Sequence, residues 1–233
     1  AQMELKMWDD AVKSFELVPG NSNLHDRSLY GAASSKRYAA KPGGAIPYYK
    51  ALLEKHATSS LVDEVAFQLA EVEFEIGSEK GGNPQHVEDS VNRLMALLKK
   101  PALNAELRQL AQYQLGFYQF EQKNYPESAK AFEDLLEVGP GNLLIQAAYQ
   151  AGEARRQTAR TAQEDEQERG YRAALKNFEI AVDATKPVPG TKDAELQEQS
   201  LIRVGECEWS LENLEDSQKS FELFIKSNPN HRM

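Results

Sequence analysis

Apolar and polar residues alternate with a helical period along most of the chain, and one stretch shows the pattern most clearly. Residues 111–140 read AQYQLGFYQFEQKNYPESAKAFEDLLEVGP. Gln114, Leu115 and Gly116 lie in a first amphipathic helix, Asn124-Tyr125-Pro126-Glu127 make a turn, and Ala131, Phe132 and Leu135 face back from a second helix. A small residue at 116 lets the helices approach, and the aromatic and leucine positions fill the space between them. Asn124 is expected to cap the second helix, with Pro126 in its first turn and Glu127 completing a capping box. Gly139-Pro140 then end it. Such a hairpin has too little core to stand alone, so the pattern should recur.

It does. Gly152 repeats Gly116, and Tyr171, Ala174, Phe178 and Ala181 repeat Tyr125, Ser128, Phe132 and Leu135. Gly205 repeats it again, followed by Leu214, Ser217, Phe221 and Phe224, with Pro229 closing that unit as Pro140 closes the first. Upstream, Ala70 takes the place of the glycine, followed by Ser90, Leu94 and Leu97. Ala45, Tyr49 and Leu52 form a further second helix, and Trp8, Ala11, Phe15 and Val18 form the apolar face of another. Ala11 and Ala45 are 34 residues apart. That period, with small residues at helix contacts and closing prolines, resembles the tetratricopeptide repeat. The resemblance implies an all-α, right-handed superhelical solenoid of antiparallel helix pairs. It divides a single domain, 1–233, into a leading helix at 1–19 and repeats at 26–57, 61–100, 104–140, 142–187 and 194–229.

Three stretches depart from the period. Gly77 to Gln85 make a longer turn, with Asn83 expected as N-cap and Pro84 at the first helical position. In the 142–187 unit, RQTARTAQEDEQERG is inserted between Gly152 and Ala174, and both helices are expected to lengthen and project, with Arg160 and Glu164 four apart on one surface. Lys186-Pro187-Val188-Pro189-Gly190-Thr191 reads as a connection between repeats, the next restarting at Ala194. The pattern starts with half a hairpin and stops at the Asn228-Pro229-Asn230-His231 junction, which suggests a segment of a longer protein.

Composition narrows the function. A net charge of −9 and a pI near 5.1 argue against nucleic acid as the partner. No apolar run is long enough to insert directly into a bilayer. Cys207 is the single cysteine and sits between Gly205 and Trp209 on an apolar face, a packing position without the basic surroundings that activate a thiol. His25, His56, His86 and His231 occupy separate turns with no partner at metal spacing along the sequence. HExxH and GxSxG are absent, and Lys80-Gly81-Gly82 lacks the order of a phosphate loop. No catalytic residue, metal ligand set or cofactor is expected, and the chain reads as no enzyme.

In tetratricopeptide proteins the first helix of each pair lines a concave face, and the resemblance carries that assignment over position by position. It gives Phe67, Glu71, Phe74 and Glu75, then Tyr113, Gln114, Phe117, Phe120 and Glu121. Tyr149, Glu153 and Arg156 follow, and then Ile202, Arg203, Glu206 and Trp209. The lysines, arginines and asparagines with which chaperone-binding relatives grip a C-terminal carboxylate are not matched here, so that ligand is disfavoured. An aromatic groove with an acidic rim instead suits a protein or peptide partner bearing apolar anchors. About half of these rings are expected to fill gaps between repeats.

The runs LLEKHATSSLVDEVAFQLAEVEFEIG and YQLGFYQFEQKNYPESAKAFEDLL are similar to envelope tetratricopeptide proteins of the Tol-system coordinator and outer-membrane-assembly lipoprotein type. This implies a scaffold in the bacterial periplasm or envelope. The alternatives are a regulatory arm of a larger protein and self-association through open solenoid ends.

Overall fold

A computed structural model describes residues 7–227; the expected closing Pro229 and its junction with His231 lie outside the described residues. The described chain is all-helical, with eleven α-helices and no strand. It divides into two compact units at residue 111, and the boundary falls inside one helix.

The first unit contains α1 (Trp8–Glu16), α2 (His25–Tyr38), α3 (Ile46–Lys55), α4 (Val62–Ser78), α5 (Pro84–Leu98) and the start of α6 (Ala105–Glu121). A 3-10 turn at Pro42–Ala45 leads into α3. The leading helix packs on α2: the Phe15 ring lies against Gly31, where an added Cβ would meet ring carbons at 2.5–2.8 Å, and Trp8 stacks on Tyr38 at 5.2 Å. Ala45, Tyr49 and Leu52 are fully buried, in one cluster with Val65, Leu69 and Val72 of α4. On α5 the expected inward positions Ser90, Leu94 and Leu97 are also buried. Asn83 caps α5 as expected, its side-chain oxygen accepting from Gln85 N–H at 3.0 Å, with Pro84 as the first helical residue.

The second unit contains the end of α6 and α7 (Tyr125–Val138), α8 (Leu144–Ala159), α9 (Glu164–Asp183), α10 (Lys192–Ser210) and α11 (Leu214–Ser227). Consecutive helices joined by short turns pack on one another, the geometry of antiparallel helix pairs. One device is repeated three times. An added Cβ on Gly116 would meet the Phe132 ring at 2.8 Å, on Gly152 the Phe178 ring at 2.6 Å, and on Gly205 the Phe221 ring at 2.8 Å. In two of the pairs a buried serine adds a cross-helix bond: Ser128 Oγ donates to Gly116 C=O at 2.8 Å and Ser217 Oγ to Gly205 C=O at 2.9 Å. Small residue, phenyl ring and serine hold the hairpin closed.

Two local expectations are corrected. The Asn124 side chain does not cap α7; its Nδ2 donates to Gln119 Oε1 at 2.8 Å, so no capping box forms. Lys123 makes the turn at φ 62°, and Asn124 follows at ψ 65°, outside the extended region that Asn83 adopts at ψ 115° when it caps α5. The insertion lengthens α9 to 20 residues and leaves α8 at 16, comparable with the 17 of α6. Arg160 lies in the turn, donating to Gln157, so it and Glu164 share no helical surface. The extension is not free-standing either: Ala159 is fully buried, and a Cβ on Gly170 would lie 2.8 Å from its methyl group.

Candidate functional site

The positions assigned to the binding face divide by how much surface they keep. On α4, Phe67 and Phe74 are buried at 8% exposure each, so they pack and present little area. Between them Glu71 accepts a hydrogen bond from Arg37 Nη1 of α2 at 3.2 Å. Burial raises the Glu71 pKa, and the guanidinium offsets part of that rise. Arg37 and Glu71 are 34 residues apart, one repeat period.

On α6 the rings lean on the second helix of their own pair. Tyr113 meets Phe132 edge-on at 5.4 Å, and Phe117 packs into the same cluster 6.2 Å from Tyr118. Phe120 meets Tyr125 edge-on at 5.2 Å, and Gln114 is half-buried. These side chains fill the helix interface and keep one edge in solvent. Tyr149 on α8 does the same, edge-on to Phe178 at 5.8 Å.

The charged positions converge in the second unit. Glu153 of α8 is buried yet doubly paired, accepting from Arg156 Nη2 at 2.9 Å and from Arg203 Nε of α10 at 2.7 Å. Arg203 Nη1 also donates to both oxygens of Glu206, at 2.9 and 3.0 Å, while Arg156 Nη1 lies 3.5 Å from Glu206. Two guanidinium groups and two carboxylates thus form one closed network across α8 and α10. Burial alone would lower the Arg203 pKa; attraction from Glu153 and Glu206 outweighs it and raises it. Arg156 Nε is buried and has no hydrogen-bond partner. Three residues beyond Glu206, on the same side of α10, the Trp209 ring is 64% exposed.

Residues 110–138 match the tetratricopeptide repeat. The matched stretch runs from Leu110 in α6 to Val138 at the end of α7, so it contains the Gly116–Phe132 contact on which the hairpin is built. No curated protein matches the chain. Repeats of this kind suggest protein–protein interaction and are in general non-catalytic.

Cys207 is fully buried against Ala174, Phe178 and Val204, and burial pushes its thiol up to about 12, the reverse of activation. Among the described residues, Glu73, His86 and Asp89 place possible ligand atoms within 4.8 Å of one another. Arg93 already bridges both Glu73 oxygens at 3.0 and 3.3 Å and Lys50 lies at 3.4 Å, so a cation would meet two resident positive charges. No described helix is long and apolar enough to cross a membrane.

Sequence reasoning placed Glu153, Arg156, Arg203 and Glu206 on the binding face and missed that they neutralise one another. It also missed the meeting of His25 and His56, whose ring nitrogens lie 2.8 Å apart. The available signal was spacing: Asp26–Ser59, His25–His56 and Arg37–Glu71 are separated by 33, 31 and 34 residues, close to one period.

Proposed function

We propose that this chain is a non-catalytic scaffold that holds a protein or peptide partner against the face of α8 and α10. The observation that carries the reading is Trp209, a large ring left in solvent beside the Glu153–Arg156–Arg203–Glu206 network. Ion pairing already holds those side chains, so a partner orders little on docking, and an exposed tryptophan is the residue type that most often anchors an interface. Phe120 and Phe117 of α6 extend the same apolar character. The partner segment carries an apolar side chain for Trp209 flanked by polar groups that meet the network.

Capture of partners from the native organism tests this. Trp209→Ala is expected to lower capture about tenfold or more with helicity unchanged, the loss typical of a central anchor. Undiminished capture by that variant overturns the reading. Tyr113→Ala and Tyr149→Ala are poorer tests, because those rings support Phe132 and Phe178. An envelope location rests on the similarity of the two runs given above, and fractionation of native cells would locate the protein.

A second reading is favoured by one surface. Leu223 and Ile225 of α11 are 51% and 65% exposed, and Leu223 borders a cleft of ≈ 390 Å³ with Val182, Pro187, Ala194 and Leu201. A second copy of the chain seating an apolar side chain in the Leu223 cleft would make the protein self-associating.

A further inference from the structure

His25 is the first residue of α2 and His56 caps the end of α3, 31 residues further on. Folding brings His25 Nδ1 within 2.8 Å of His56 Nε2, with the ring centroids 5.0 Å apart and both rings half-buried. The surrounding loops are fastened. Asp26 Oδ2 accepts from Ser59 Oγ at 2.6 Å and Asp26 Oδ1 from Arg27 N–H at 2.7 Å, which ties the 56–61 loop to the start of α2. Two imidazole nitrogens therefore converge on one point from two elements whose positions are set by other contacts.

A neutral pair at this distance shares one hydrogen, and a change of tautomer that moves it to the donor ring's other nitrogen leaves two lone pairs facing each other. This is the donor set of a borderline divalent cation that prefers imidazole nitrogen. We propose that His25 and His56 bind a zinc-type divalent ion between their ring nitrogens, with water completing the coordination shell. Zinc–nitrogen bonds of about 2.0–2.1 Å at a tetrahedral angle place two nitrogens about 3.3 Å apart. The rings need only separate by about half an ångström, within the reach of side-chain rotation. The neighbouring charges are Asp26, which favours a cation, and Lys55, which opposes it; Arg27 adjoins Asp26. The Glu73–His86–Asp89 cluster offers three ligands but is already neutralised by Arg93 and Lys50. The histidine pair is the better site despite having fewer ligands.

Titration calorimetry of the full chain with zinc chloride at about pH 7.5 is expected to show one saturable site, weakening about tenfold or more near pH 5.5 as protons compete for the imidazoles. His25→Gln and His56→Gln should each abolish it, and His86→Gln should leave it intact. Nitrogen NMR of the unmutated protein gives a readout independent of variant folding: zinc should shift the ring nitrogens of His25 and His56. No saturable binding, binding that survives His56→Gln, or shifts confined to His86 would overturn the assignment.

Discussion

Gly116, Gly152 and Gly205 each face a phenyl ring at a distance no Cβ tolerates, so each is a steric requirement of its hairpin. Gly116→Ala is expected to destabilise the second unit by about 1–3 kcal/mol through overpacking, measurable by urea denaturation. In the first unit the demanding residue is Glu73, fully buried and held by Arg93 and Lys50. Arg93→Ala removes the stronger partner from a carboxylate without access to water, and a loss of about 3–5 kcal/mol should appear in the same assay. Cys207 supplies a third check at this scale. With its thiol pushed up to about 12 by burial, it should stay unreactive to a thiol reagent in the native protein and react stoichiometrically on unfolding.

Between elements, α7, α8 and α9 are joined by one carboxylate. Glu133 of α7 accepts from Arg155 Nε of α8 at 2.8 Å and from Asn177 Nδ2 of α9 at 2.9 Å, and Arg155 Nη2 also pairs with it. Burial alone would raise the Glu133 pKa, but these hydrogen bonds outweigh it and hold the carboxyl below its ordinary 4.5. Because the folded value is the lower one, the stabilisation is present above 4.5 and is lost as pH falls through the folded value. Glu133→Gln is therefore expected to flatten the fall in stability below that pH, seen as a smaller difference between melts at neutral and acidic pH. His25 has the same sign for a base: burial, with His56 and Lys55 adding to it, lowers its pKa from 6.5. Its contribution is present above 6.5 and declines on acidification.

For the whole molecule, the apolar cleft beside Leu223 of α11 is the feature that composition does not reveal, since a net charge of −9 favours mutual repulsion. If copies dock there, light scattering should show mass increasing with concentration and with added salt, which screens that repulsion. Leu223→Glu should hold the protein monomeric throughout. A strict monomer before mutation counts against self-association and leaves the α8–α10 reading standing, because the two surfaces use different residues.

How far the sequence reached depends on whether a residue's role is set within its own hairpin. Gly116, Phe132, Ser128 and Leu135 were legible because period and residue size express a contact between adjacent helices, and the same holds for Ala45, Tyr49 and Leu52. Asn124 was misread because capping depends on backbone angles, and its ψ of 65° falls short of the extended value that Asn83 adopts. The rings at Phe67 and Phe74 could not be told from exposed ones by pattern, since both kinds lie on the first-helix face and only packing from neighbouring elements decides which are covered. The pairing of Glu153 with Arg203, 50 residues apart, and of His25 with His56 belongs to tertiary structure for the same reason. By itself the sequence determined helix periodicity, the size of each hairpin and its closing contact, all local consequences of spacing. Only the fold decided which charges cancel, which rings stay wet and which imidazoles meet, because each depends on how helices far apart in sequence are brought side by side.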